Sequence, residues 1–202
     1  GSAPIFTSDS GEGYFADLSN YTGAYSIESG ATLGVGSGDK LVWNPAVRIY
    51  GASGYFGINN NMNTNWSTTI QRGLGTDGTA SFGLRKRGTG TLTLDMTQNF
   101  TGNTVIDSGI LKPAFDGAIS YGSGKGSVII NAAGKLDVDG QTINVNGLSG
   151  TGQVIGQGTL RVGNNGASAT YSGATAADKT MLVKTGTGTL TTQTRAVWNA
   201  TV

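Results

Sequence analysis

The stretch RKRGTGTLTLDMTQNFTGNTVIDSGIL, from Arg85 to Leu111, holds four glycines, one aromatic ring and short runs in which Thr alternates with Leu. A period of two is typical of β-strands, and Gly, Asn and Asp between the runs are typical of turns. No convincing amphipathic helix of ten residues or more occurs anywhere in the chain. The sequence therefore predicts an all-β fold rich in turns.

Parts of this stretch occur twice. KRGTGTLTL at Lys86–Leu94 recurs as KTGTGTLTT at Lys184–Thr192, and NFTGNTVIDSG at Asn99–Gly109 is preceded by the similar NYTGAYSIESG at Asn20–Gly30. Both spacings are near multiples of about 20 residues, a period that predicts a β-solenoid of stacked coils with parallel pairing. A β-sandwich or barrel of short strands is the alternative that periodicity leaves open. In a solenoid each coil needs little bulk, because it buries its surface between two neighbours.

Composition excludes several classes of site. The 202 residues include 35 Gly but no His and no Cys, which removes Ser-His-Asp and Cys-His catalysis, the common zinc sites and disulfides. The net charge of +1 gives no electrostatic argument for nucleic acid, and no apolar run of about 18 residues predicts a membrane helix. We therefore expect no cofactor, no metal, no nucleic-acid partner and no membrane insertion by this chain.

Residues Leu84–Val202 resemble the autotransporter-associated β-strand repeat, also called the passenger-associated transport repeat. Arg87 departs from the pattern, since the family usually has Thr there, and the final AVWNATV reads like a decayed repeat step. The resemblance implies a right-handed parallel β-helix in an extracellular, usually bacterial, protein, and its motif is structural rather than catalytic. The motif positions are Gly88, Gly90, Leu92, Leu94, Asn99, Phe100, Thr101, Gly102, Ile106, Gly109, Leu111, Gly186, Gly188 and Leu190.

Two segments are predicted. Residues 1–83 form an N-terminal β-rich segment with a cap or excursion loop and a partial repeat at 20–33, and residues 84–202 form the β-helical repeat domain. The chain has no room for the outer-membrane barrel that usually follows such repeats. We therefore expect a fragment, a processed product or a free-standing protein, and we expect the unprotected C-terminal coil to meet another chain or to continue.

Two short stretches invite a chemical interpretation. Asp137 and Asp139 in LDVDGQ share a strand face, which fits either a weak Ca²⁺ site or, as we favour, a solvated face ending in an Asp-Gly turn. YGSGKGSV at Tyr121–Val128 resembles a phosphate loop, but a strand rather than a helix follows it, which favours a solenoid corner.

The candidate partner contacts lie in two places. Arg85, Lys86 and Arg87 form the only basic cluster, and strand alternation places the two arginines on one face; a solvated edge or a contact to another chain is favoured over polyanion binding. INNNMNTNW at Ile58–Trp66 lies near several aromatic residues, a mixture that can bind sugars, although an Asn-rich loop or cap is favoured. The predicted contacts are Trp43, Tyr55, Phe56, Asn59, Asn60, Asn61, Trp66, Arg85 and Arg87.

These observations predict a non-enzymatic extracellular surface protein that serves as a stalk or adhesin module, with other protein chains or a cell-surface glycan as partners. Self-association through exposed polar faces is a further expectation. A phage or virion decoration or fibre protein on the same fold is the alternative, and it predicts a symmetric oligomer or a surface lattice. A polysaccharide-cleaving enzyme ranks last, because the acids are scattered along the chain.

Overall fold

The computed structural model describes the backbone of residues 5–6, 12–15, 25–27, 32–35, 49–50, 52–59, 64–65, 81–175 and 180–193, and the side chains of Tyr55, 83–175 and 180–193. This part of the chain contains β-strands and no helix, hence no helix able to span a membrane. The strands are β1 Ile5–Phe6, β2 Glu12–Phe15, β3 Tyr25–Ile27, β4 Thr32–Val35, β5 Ile49–Tyr50, β6 Ala52–Asn59, β7 Thr64–Asn65, β8 Ser81–Arg87, β9 Thr91–Leu94, β10 Thr104–Pro113, β11 Val128–Asp137, β12 Thr142–Val145, β13 Leu148–Gly150, β14 Gln153–Ile155, β15 Gly158–Val162, β16 Ala169–Tyr171, β17 Thr180–Lys184 and β18 Leu190–Thr192.

The described strand pairs are all parallel, and successive coils stack along one long sheet in the order β2, β4, β6, β8, β10, β11, β13, β16 and β18. Between Leu84 and Leu190 each turn of the chain brings a residue beside its partner in the next coil. The partners are Leu84 and Thr104, Thr104 and Val128, Val128 and Leu148, Gly150 and Tyr171, and Ala169 and Leu190. The β-solenoid with a coil of roughly 20 residues is therefore confirmed, and the sandwich and barrel are excluded.

Each coil has more than one face. β10 pairs with β8 through Thr104–Ile106 and with β9 through Ile110–Pro113, and its register shifts between these two halves. Gly109 lies at this bend with φ of 69°, a left-handed conformation that glycine enters without strain. β11 turns in the same way between β13 and β14. Two smaller sheets, β1–β3–β5 and β12–β15–β17, form further faces.

The core is a set of apolar columns that run along the stacking direction. Because side chains alternate across a strand, every second residue points inward, and parallel register places it above its counterpart in the next coil. One column contains Leu92, Leu111, Leu136 and Val154, all with no exposed surface. Each of these side chains is therefore covered by neighbouring coils as well as by its own.

Polar side chains bind one coil to the next at the corners. Asn103 Oδ1 accepts a hydrogen bond from the Ser127 backbone N at 2.8 Å, and Ser127 Oγ accepts one from the Gly147 N at 3.1 Å. These bonds satisfy backbone donors where the chain leaves the regular ladder, which matters because an unpaired buried N–H destabilises the fold.

The glycine-rich stretch at Tyr121–Val128 is a turn held by a buried side chain. Asn146 Nδ2 donates to the carbonyl oxygens of Gly122 and Lys125, both at 2.9 Å, and its Oδ1 accepts from the Gly122 N at 2.8 Å. Gly122 and Gly124 have φ of 98° and 72°. The prediction of a solenoid corner rather than a phosphate loop is confirmed.

An excursion at residues 114–127 lengthens the coil between β10 and β11 and protects the edge of β12. Asp116 Oδ1 accepts a hydrogen bond from the Asn144 backbone N at 3.0 Å, and Asp116 Oδ2 accepts one from Asn144 Nδ2 at 2.7 Å. The carboxylate thus takes the place of a strand carbonyl at a sheet edge, where an unpaired donor would otherwise be exposed.

The predicted boundary between residues 83 and 84 falls inside β8, whose backbone pairs with β6 on one side and β10 on the other. The long sheet is continuous across this point. The division into two segments stays a prediction.

Candidate functional site

Strand alternation brings five outward-facing residues together on the long sheet. Arg85 and Arg87 lie on β8, Tyr55 on β6, Asp107 on β10 and Asn131 on β11. We call this group the arginine patch. The two arginines share one face, as predicted, and this face points away from the core, while Lys86 between them points inward and is buried.

One carboxylate organises the arginine patch. Arg85 donates from Nε to Asp107 Oδ2 at 2.5 Å and from Nη2 to Oδ1 at 3.3 Å. Arg87 Nε donates to Oδ2 at 2.8 Å, and Asn131 Nδ2 donates to Oδ1 at 2.7 Å. Each oxygen of Asp107 therefore accepts two hydrogen bonds, so the carboxylate is fully used in positioning its neighbours.

The electrostatics of Asp107 follow from these contacts. Burial raises its pKa, but the hydrogen bonds from the two arginines and the asparagine outweigh burial, so the pKa lies below its usual value. The side chains of Arg85 and Arg87 keep 27% and 26% of their surface exposed. The patch is thus a charged, ordered and partly open surface near neutral pH.

Tyr55 supports one face of the patch. The guanidinium carbon of Arg85 lies 5.6 Å from the centre of the Tyr55 ring, within the range of a cation–π contact. The ring and the carboxylate together restrict the rotamers of Arg85. This arginine is therefore held in place before any partner arrives.

Lys86 has a structural role at the corner that follows β8. Its ammonium donates to the carbonyl oxygens of Arg87 at 2.6 Å, Gly88 at 3.0 Å and Ser108 at 3.3 Å. Burial lowers the pKa of Lys86 to about 8. Lys184 of the second copy likewise donates to the carbonyls of Thr185 and Gly186. In both copies the lysine of the repeat therefore closes a corner, and at Lys86 all three ammonium hydrogens have a backbone acceptor.

The apolar motif positions lie in the core as a structural motif requires, with Leu190 only half-buried. Gly88, Gly109 and Gly186 adopt left-handed φ values of 77°, 69° and 67°. Gly90 is buried, Gly102 and Gly188 are half-buried, and Asn99 and Thr101 are exposed. The fully buried members are Leu92, Leu94, Phe100, Ile106 and Leu111.

The predicted partner contacts divide into three groups. The structure brings Tyr55, Arg85 and Arg87 together. The backbone places Phe56 in register with Leu84 and Asn59 in register with Arg87. The remaining four lie outside the described residues: Trp43, Asn60, Asn61 and Trp66.

Sequence reasoning missed Asp107 and Asn131. Asp107 lies one coil beyond Arg87, and Asn131 lies one longer coil beyond Asp107. Adding one coil length to the arginine positions would have found the aspartate. Asn131 could not be found in this way, because the excursion at residues 114–127 lengthens the coil between Asp107 and Asn131.

Asp137 and Asp139 lie at a turn that ends in Gly140. The Asp139 backbone N donates to Asp137 Oδ1 at 3.0 Å, and Gly140 follows with φ of 73°. Lys112 Nζ lies 3.6 Å from Asp137 Oδ2, so a cation already faces this pair. Within the part of the chain that the structure describes, no three His, Cys, Asp or Glu residues are grouped to hold a metal ion.

Comparison with known proteins finds a family match for the segment that contains the corner lysine and the first leucines of the core. Residues 84–112 match the model of the passenger-associated-transport-repeat. The chain carries a passenger-associated transport repeat. This repeat spans β8 to most of β10, and hence the corner of Lys86 and both arginines of the patch.

The chain that carries the repeat is also 33% identical, over 193 residues, to the adhesin BmaC autotransporter of Brucella suis biovar 1 (strain 1330). The match covers 77% of this chain but only 5% of the length of that relative. No solved structure matches the chain. Neither finding points to a virion protein.

Proposed function

We propose that the chain is a non-enzymatic β-helical module of a bacterial surface adhesin, located outside the cell. The observation that supports it is a solenoid of stacked coils that carries a passenger repeat and resembles a protein named as an autotransporter adhesin. The module has two roles in this proposal, which we call the extending duty and the adhesive duty. It extends the protein away from the cell, and it presents outward side chains to a partner.

The fold suits the first duty. Parallel coils are spaced by about 4.8 Å, so five coils extend about 24 Å, and each further coil adds the same length. Within the described residues, the inner coils are held on both sides by backbone ladders and by columns of apolar side chains. Such a rod resists bending without disulfides, and the sequence has no Cys to form them.

The absence of catalysis in this proposal rests on the residues available. The chain has no His and no Cys, so a reaction would have to use carboxylates. In the described part of the chain Asp107 is bound by two arginines, Asp116 accepts from Asn144, and Asp137 accepts from a backbone N–H. These acids stabilise the fold and its surface.

Self-association stays a prediction, and light scattering after size exclusion tests it. A mass near 20.5 kDa at every concentration would fit a module that acts through a side face. A defined trimer or a filament would instead favour the assembly predicted for a virion or fibre protein.

Adhesion itself is tested with beads coated with the purified chain and offered to cultured animal cells. We expect more attached beads than with albumin coating, rising with coating density and lost after heat denaturation of the coat. Attachment equal to albumin at every density would contradict the adhesive duty and leave only the extending one. Deleting residues 84–193 from the full-length surface protein would then test whether length alone matters.

A further inference from the structure

The two copies of the repeat differ in the residues on either side of their shared lysine. In the first copy Lys86 lies between Arg85 and Arg87, whereas in the second copy Lys184 lies between Val183 and Thr185. Both lysines bind the carbonyls of their own corner. The fold therefore forms with small uncharged residues at the outward positions, and the two arginines serve something other than the corner.

The geometry of Arg85 leaves one edge of its guanidinium available. Asp107 uses Nε and Nη2, and the Tyr55 ring lies against one face. Nη1 makes no hydrogen bond within the described residues. This outer edge can donate two parallel hydrogen bonds to a planar carboxylate, the arrangement that arginine favours.

Asn131 places a hydrogen-bond acceptor in the same patch as Arg85. Its Nδ2 is used by Asp107, which orients the side-chain carbonyl Oδ1 away from the carboxylate. Asn131 is exposed, and its Oδ1 accepts no hydrogen bond within the described residues. A ligand suited to the patch therefore has an anionic group for Arg85 and a hydroxyl donor for Asn131.

We propose that the arginine patch binds the carboxylate-bearing sugars of an acidic polysaccharide. A sugar acid holds its carboxylate and hydroxyls on one rigid ring, so little conformational entropy is lost against a surface that is itself ordered. An acidic peptide would have to be ordered first, which weakens its binding. The patch contains two guanidinium groups and one carboxylate, which matches an anionic ligand.

This inference deepens the proposed adhesive function by naming the chemistry of its ligand, and it rests on that function for its biological meaning. The binding itself can be measured on the purified chain without cells. The probe is polygalacturonate immobilised on a biosensor, and the reference surface is the same polymer with its carboxylates reduced to alcohols.

The test compares a double variant of the arginine patch with a single control variant outside it. Arg85→Val combined with Arg87→Thr gives the first copy the residues of the second. Arg161→Gln removes one exposed arginine from β15, outside the patch. We expect the wild type to prefer the charged polymer by about tenfold, the double variant to lose about tenfold in affinity, and R161Q to stay within about twofold.

Several results would overturn the proposal. The first is equal affinity of the wild type for the charged and the reduced polymer. The second is a loss of affinity in R161Q equal to that of the double variant. The third is tighter binding of poly-glutamate than of polygalacturonate, which would assign the patch to acidic peptides. Thermal unfolding by circular dichroism checks each fold. If the double variant does not fold, Arg85→Lys replaces it, since it keeps the charge but not the paired donors, and we expect at least about a threefold loss.

The two proposals can fail separately. Beads that attach to cells while the chain ignores polygalacturonate would contradict the ligand assignment and leave adhesion standing. A chain that binds polygalacturonate through Arg85 but does not attach to cells would contradict the adhesive function and leave the site standing.

Discussion

The two copies of the glycine-threonine repeat form the same type of corner, but the leucine that follows the corner is buried to a different extent in each. Gly88 and Gly186 have φ of 77° and 67°, and the preceding lysine donates to the glycine carbonyl in both copies. A short stretch of nearly identical sequence thus makes the same bend in two different coils. The corner is encoded locally, by a glycine that accepts positive φ and a lysine that satisfies the freed carbonyls.

Burial is not encoded locally. β9 in the first copy pairs with β7 and β10, and Leu92 has no exposed surface. β18 in the second copy pairs with β16 alone among the described strands, and Leu190 is half-buried. The same leucine of the same motif therefore contributes differently, because a coil receives most of its stabilisation from its neighbours.

The largest expected effect comes from truncating this leucine in each copy. Leu92→Ala leaves a cavity in a column closed on both sides and should lower the free energy of unfolding by about 3 kcal/mol. Leu190→Ala, at a half-buried position, should lower it by about 1 kcal/mol. Urea unfolding followed by circular dichroism measures both, and equal losses would mean that the two coils are covered alike.

The next effect concerns the corner of the first copy. A Cβ on Gly109 would lie 2.4 Å from the Gly88 carbonyl oxygen and 2.6 Å from that of Gly90. Gly140 has a similar φ of 73° but nothing within 4 Å of such a Cβ. Gly109→Ala should therefore lower the free energy of unfolding by more than about 2 kcal/mol. Gly140→Ala should lower it by about 1 kcal/mol, from backbone strain alone. Similar losses in the same unfolding assay would show that the contact between coils is loose.

A smaller effect is the pH dependence of the first copy. The pKa of Lys86 is lowered to about 8 from 10.5, so between these pH values the unfolded chain holds more protons than the folded one. The free energy of unfolding should then rise, by about 1 to 2 kcal/mol from about pH 7 to about pH 9.5. Lys86→Met should flatten this rise and Lys184→Met should keep it. A rise that survives in K86M would assign it to another group.

The smallest effect is on the outward face. Arg85→Val with Arg87→Thr removes partly exposed ion pairs, which contribute little, so stability should change by no more than about 1 kcal/mol. Thermal unfolding of this variant beside the wild type gives the answer. A loss as large as that of Leu92→Ala would make the arginine patch part of the scaffold rather than an addition to it.

Much of this fold could be predicted, because its signals are local. Alternating Thr and Leu, corner glycines and a repeating coil length are all visible in the sequence, and the alternation at Arg85–Arg87 predicts that the two arginines share a face opposite to Lys86. Contacts between coils are harder to predict, since they depend on the length of each coil. The step from Tyr55 to its partner Gly83 is longer than the step from Leu84 to Thr104. Such variation hides which residues become neighbours, and so it hid Asn131, which lies 24 residues beyond Asp107.

The roles of two charged side chains could not be predicted from the sequence either. Lys86 reads as part of a basic cluster, yet it is buried, because its ammonium finds three carbonyl oxygens at the bend. Nothing in the sequence singles out Asp116, yet it accepts a hydrogen bond at the edge of β12. Lys86 reaches Ser108 in the next coil as well as its own corner, and Asp116 reaches Asn144, and no period in the sequence shows either longer-range pairing.

Amide hydrogen exchange measured strand by strand tests the central claim, that each coil is stabilised by the coils on both sides of it. The account predicts the slowest exchange in β10 and β11, which have paired strands on both sides, at rates that approach global unfolding, and faster exchange in β18. The Leu92→Ala variant should speed exchange in β10 as well as in β9. Protection in β18 equal to that in β10, or a Leu92→Ala effect confined to its own strand, would contradict it.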